Sequence, residues 1–192
     1  MITVAISGTI GYDVTGKSIR EALDKAKGQD IEIQVSSPGG LVTEGLEIYN
    51  LIKNYKGKKT TRLMGLAASM ASYIVLAGDK VIAEDNAIYM VHNPWGFAMG
   101  DYRDMKKTAD VLSGFAGVLA KAYARKSGKE LSDIRGLMDE ETYLYGDEIL
   151  AAGFADEIEP AGDGPDTALL QGGPEPAIRG RVAGQRSRAP SC

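Results

Sequence analysis

Apolar residues recur along this chain at helical and strand spacings in turn, and the switches between them mark its elements. Residues 2–7 (ITVAIS) read as a first strand. In VTGKSIREALDKAKG, Ile19, Ala22, Leu23 and Ala26 fall on one helical face. IEIQV at 31–35 is a β-rich run, SSPGG follows it, and Val42, Leu46, Tyr49 and Ile52 then step by three and four as a second helix. TTRLM (60–64) reads as a third strand, leading into a serine-bearing segment expected to be helical through Leu76. VIAE and AIYMV are short strands around a turn at Asp85–Asn86. Strand and helix alternating in this way predict an α/β fold with a largely parallel sheet.

The longest helical pattern runs from Asp101, a fitting N-cap, to about Ser127, with Gly128 as its stop. One stripe holds Tyr102, Met105, Ala109, Leu112, Ala116, Leu119 and Tyr123; Val111, Phe115, Val118 and Ala122 make a second. Residues 111–120 carry no charge, so this helix should be buried on two sides, as a core helix or at a subunit interface. Two short helices are expected at 130–138 and about 146–152, and GFADEIEP closes the regular pattern. Residues 160–192 hold five of the seven prolines and end Arg-rich, the composition of a flexible tail beside a folded domain at 1–159. The chain has no internal repeat.

Charge and cysteine content narrow the classes. A formal net charge of −4 gives no electrostatic reason to expect nucleic acid or an anionic membrane as partner. One histidine and one terminal cysteine, Cys192, leave no metal-ligand set and no internal disulfide. No Gly-rich phosphate-binding motif is present, so no cofactor is expected. The start lacks a basic segment and is too short to span a bilayer, which makes the cytoplasm the expected location.

The chemistry concentrates in a few places. GLAASMAS (65–72) is made almost wholly of small side chains, which suits close packing but equally suits a serine nucleophile, Ser69 or Ser72, on a strand-to-helix turn. His92, in YMVHNPWG, is the only imidazole that could serve as its base, and Pro94 biases Asn93 toward an extended backbone. SSPGG is turn chemistry, yet the amide of Gly40 at a helix start can also face developing negative charge. A carboxylate should orient the imidazole, and Asp139, Glu140, Glu141 and Asp147 are the candidates in MDEETYLYGDE. A Ser-Lys dyad would draw instead on Lys80 or the pair at 106–107.

These segments, in this order, resemble the proteolytic subunit of the Clp protease, ClpP, and most closely the ClpP-like peptidases of phages and prophages known as head maturation proteases. The resemblance runs from about Ile2 to Glu159 through VSSPGGLVTEGLEIYNLI, MGLAASMASYIVLAGDK, IYMVHNPWG and ETYLYGDEILAAGFADEI. It implies a ClpP/crotonase-like fold of repeated β-β-α units with the 101–127 helix as a handle between rings of subunits. It further implies a serine endopeptidase with Ser69 as nucleophile, His92 as base, Glu141 as third member and the N–H groups of Gly40 and Met70 as oxyanion donors; Ser72 becomes a packing residue. Capsid or scaffold protein is the substrate that family company suggests, and an inactive subunit serving in assembly is the alternative. Three departures stand out. Glu141 lies where the family has aspartate, which keeps Asp139 a rival. The segment that contacts the family's ATPase unfoldase has no counterpart before the first strand, which makes dependence on such a partner doubtful. The tail has no counterpart.

Overall fold

The computed structural model describes residues 1–162. The strands, in chain order, are β1 (Ile2–Ser7), β2 (Ile31–Ser37), β3 (Lys59–Ala68), β4 (Lys80–Glu84), β5 (Ile88–Val91), β6 (Thr142–Tyr145) and β7 (Glu157–Glu159). The helices are α1 (Gly16–Ala26), α2 (Val42–Lys53), α3 (Met70–Val75), α4 (Tyr102–Ser127), α5 (Leu131–Asp139) and α6 (Asp147–Ala151). Strands β1, β2, β3, β4 and β7 lie side by side in that order, all parallel. The expected α/β fold with a parallel sheet is therefore what the chain adopts.

Each β-α-β step must cross over the same face, because right-handed crossovers between successive parallel strands allow nothing else. The strands accordingly have two unlike faces. Ile31, Ile33 and Val35 of β2 and Leu63 of β3 are fully buried among the helices. On the other face Arg62 bridges Glu32 (3.2 Å) and Glu159 (2.6 Å), spanning β2, β3 and β7. Helix α1 starts with a capping box between Thr15 and Ser18, and α4 with one between Asp101 and Asp104. In α2 the buried face is Gly45, Ile48, Tyr49 and Ile52, rotated from the one expected. Gly45 is buried because the Met70 side chain packs where a Cβ would sit.

A second short layer of pairing extends from the C-terminal ends of the main strands. The register of β2 on β3 shifts between Val35 and Ser37, after which Ser37 pairs with Ala67. Strand β3 pairs with β4 through Thr60–Leu63 and then leaves it to pair with β5 through Leu66–Ala68. A further parallel bridge joins Ile10 to Gly40. Successive units thus deliver Gly40, Ser69 and His92 to the ends of neighbouring short parallel segments, the usual place for chemistry in such sheets.

Two expectations need correction, and a third is met only in part within one chain. Gly65–Ala68 belong to β3, and the helix begins only at Met70, because those small residues are flanked by β2 on one side and β5 on the other. Strand β6 was not foreseen; it pairs antiparallel with β5. Within one chain, α4 is buried only in its last turns, at Leu119, Ala120, Ala122 and Tyr123, while Tyr102 (80% exposed), Met105, Val111 and Val118 face outward. A core-helix reading therefore covers only its C-terminal third. The tail expected at 160–192 falls almost wholly outside the described residues.

Candidate active site

Ser69 stands between β3 and α3 with φ 55° and ψ −125°, a conformation that L-residues rarely adopt. Such strain persists only where the surroundings impose it. Here they do: the Ser69 N–H donates to the Met90 carbonyl at 3.0 Å, and the Ser69 carbonyl accepts from both the Ser72 N–H (3.0 Å) and the Ser72 hydroxyl (2.6 Å). The turn places Ser69 at the end of β3, a strand-turn-helix geometry that can present a serine side chain at the sheet end. Ser72 is fully buried and its Oγ lies 2.8 Å from the Tyr123 hydroxyl. Tyr89 donates to the Ser72 carbonyl at 2.9 Å. Burial pushes the Tyr89 and Tyr123 hydroxyls well above their ordinary range, so both stay neutral hydrogen-bonding groups.

His92 follows β5 directly, and its Nε2 is 2.7 Å from Ser69 Oγ. What faces its other nitrogen follows from strand register. The β5–β6 ladder pairs Ile88 with Tyr145, Tyr89 with Leu144, Met90 with Tyr143 and Val91 with Thr142. One step further along the same register, His92 meets Glu141. The Glu141 carboxylate lies 3.7 Å from His92 Nδ1, within ion-pair range but longer than a direct hydrogen bond. Asp139 is engaged elsewhere, accepting from the Asn93 side chain at 2.7 Å. Glu140 caps the end of α5, and Asp147 opens α6 past the far end of β6. Lys80 pairs with Glu157 and Lys106 with Asp110, so neither is turned to Ser69.

The SSPGG loop packs directly on the serine turn. A Cβ added to Gly39 (φ 95°) would lie 2.7 Å from Ser69 Cβ and 2.9 Å from Met70 N. Gly40 (φ 150°) is pressed against the Ile10 backbone, which clamps it from both sides: Ile10 N–H donates to Gly39 O (2.8 Å) and Leu41 N–H to Ile10 O (2.9 Å). Among the described residues, the N–H groups of Gly40 and Met70 donate to no other group.

A family model for Clp protease matches residues 4–161. The chain belongs to the Clp protease family. Membership makes it a peptidase, and family members typically form oligomeric rings that act on protein substrates. The matched span takes in every segment described above, from Ile10 to Glu141. Among the described residues no helix is long and apolar enough to cross a membrane, and no cluster of His, Cys, Asp and Glu could hold a metal ion.

In this Clp protease family chain a cleft of about 620 Å³ opens beside Ser69 and His92. Its walls include Tyr12, Leu41, Met90, Trp95 and Phe97, most of which the sequence reading passed over. Trp95 and Phe97 meet edge to face at 5.7 Å, and Phe97 is 93% exposed. The available signal was two large aromatics within WGF, next to the only histidine and outside any periodic stripe. Ile10 was missed because its contribution depends on a pairing between distant segments.

Proposed function

We propose that this peptidase is a serine endopeptidase acting through Ser69, His92 and Glu141. The observation that carries the reading is the 2.7 Å contact between Ser69 Oγ and His92 Nε2, made by a serine held in a strained turn. Ser69 Oγ attacks the carbonyl carbon of the scissile peptide while His92 Nε2 takes its proton. The carbonyl oxygen gains negative charge and is received by the N–H groups of Gly40 and Met70. His92 then gives the proton to the leaving amine nitrogen, the C–N bond breaks, and an acyl-Ser69 ester remains. Water, deprotonated by the same imidazole, releases the acid and restores the serine. Glu141 holds the imidazole orientation and balances its charge while it is protonated.

The apolar cleft walls favour substrates with an apolar side chain beside the scissile bond. The resemblance to prophage-encoded members makes capsid or scaffold protein the natural substrate to try. The outward apolar residues of α4 support self-association through this handle, between rings of subunits, since exposed apolar patches mark interfaces. Phe115→Asp should then reduce the assembly to smaller species, because an unpaired charge buried there is costly. Sedimentation of the wild type as a monomer at micromolar concentration would refute the association. For the chemistry, a fluorophosphonate probe should label Ser69, located by mass spectrometry, and His92→Ala should abolish labelling. An adduct on Ser72, or labelling unaffected by His92→Ala, overturns the assignment; no labelling at all returns the chain to an assembly role.

A further inference from the structure

We propose that Tyr143 is a positioning residue whose hydroxyl holds the Glu141 carboxylate beside His92; the inference rests on the triad reading above. Glu141 occupies the turn just before β6, at φ 50°, and Tyr143 stands on β6 opposite Met90, so the turn brings the two side chains together beside His92. The Tyr143 hydroxyl lies 3.4 Å from one carboxylate oxygen, Oε1, while the other, Oε2, faces His92 Nδ1 at 3.7 Å. Among the described residues this is the one hydrogen bond that the Glu141 side chain receives. The intervening residue points the other way and pins the strand: Thr142 Oγ1 donates to the Leu137 carbonyl of α5 at 2.8 Å. That bond anchors the start of β6 to α5, directly after the Glu141 turn.

The need for a tether follows from the surroundings of Glu141. Its side chain is 57% exposed and carries one more rotatable bond than aspartate, so in solvent it samples many rotamers. A phenol suits the task better than a cation would. It donates a hydrogen bond and limits those rotamers, yet leaves the negative charge uncancelled for the imidazolium. Tyrosine is itself stiff, with two side-chain torsions.

The test is a double-mutant cycle on the full chain with an apolar fluorogenic peptide, using Tyr143→Phe, Glu141→Gln and the pair. Phenylalanine keeps the ring at a half-exposed position, and thermal melting checks that the fold is retained. We expect Tyr143→Phe to lower kcat about tenfold with KM unchanged, the loss of one hydrogen bond to a charged group. In the Glu141→Gln background the same change should add nothing, because Tyr143 acts through that carboxylate. Wild-type kcat in Tyr143→Phe overturns the inference, and so does an equal loss in both backgrounds. Full activity of Glu141→Gln beside a dead Ser69→Ala removes the carboxylate from the mechanism and Tyr143 with it; activity in Ser69→Ala instead marks failure of the triad reading itself.

Discussion

Ser69 and Glu141 share an uncommon backbone and live in opposite surroundings. Both are non-glycine residues at positive φ, 55° and 50°, and each ends an element whose direction must change sharply. Around Ser69 everything is closed. Ala67, Ala68, Met70, Ala71 and Ser72 are buried, and hydrogen bonds from β5, α3 and α4 converge on the turn. Glu141 sits on an open turn between α5 and β6, with contacts of 3.7 Å and 3.4 Å where the serine has one of 2.7 Å. The side of Ser69, the proposed nucleophile, is held by packing, which has little give. The acid side is held by strand register and a few solvent-facing side chains. Mutations on the two sides should therefore differ in kind as well as size.

The largest contrast is expected between the two serines. Ser69→Ala should lower turnover by a factor on the order of 10⁶, as loss of a serine nucleophile does elsewhere, with the fold and assembly intact. Ser69→Gly should be equally inactive yet more stable than Ser69→Ala by about 1–3 kcal/mol, since glycine accepts the turn without strain. Ser72→Ala should do the reverse. It keeps the chemistry but strands the buried Tyr123 hydroxyl, a loss of about 1–3 kcal/mol in denaturant titration. If Ser72→Ala is the inactive variant and Ser69→Ala the unstable one, the two roles have been exchanged.

The same contrast explains what the sequence could disclose. Helices α1, α2 and α4 were legible because each writes its pattern within eleven or more consecutive residues, and the caps at Asp101 and Gly128 bounded the longest one. The residues left Ser69 and Ser72 open, and the resemblance to the Clp family chose Ser69; His92 was legible as the one imidazole, placed where a strand ends. The choice between Asp139 and Glu141 was not, since it depends on β6, a four-residue strand whose partner lies more than fifty positions earlier. TYLY has the aromatic content of a strand, and the pairing of Met90 with Tyr143 is what brings position 141 opposite His92. Periodicity cannot report a register between distant segments. It also could not divide the two readings of α4, because a helix apolar on two sides looks the same whether its second partner is its own core or another molecule.

On the acid side the expected losses are smaller. Glu141→Gln should lower kcat about a hundred- to a thousandfold at unchanged KM. That falls short of the ~10⁴ measured where an enclosed triad acid is made an amide, because solvent already shares the task of stabilising the imidazolium here. Asp139→Asn should cost little in turnover, since the Asn93 contact can be kept by an amide oxygen. Steady-state kinetics on the two variants would decide the matter, and a dead Asp139→Asn beside an active Glu141→Gln would reverse the assignment.

Glycine-to-alanine changes test the contrast at its finest grain. Gly39→Ala, on the nucleophile side, inserts a methyl 2.7 Å from both the Ala68 carbonyl and Ser69 Cβ, at a φ of 95° that alanine resists. Backbone cannot retreat there, so the variant should lose more than 1 kcal/mol of stability together with most of its turnover. Gly136 offers the opposite case. It is exposed in the interior of α5, the helix that leads into the Glu141 turn, and an added Cβ would meet nothing within 4 Å. Alanine at an open helical site is favoured over glycine by about 0.8–1.0 kcal/mol. Gly136→Ala should therefore raise the midpoint of denaturation slightly and leave KM unchanged. A stiffer α5 also narrows the range over which the turn carries Glu141, so kcat should hold or rise. A fall in kcat with a gain in stability would mean that the acid side needs its mobility, and that its looseness serves turnover.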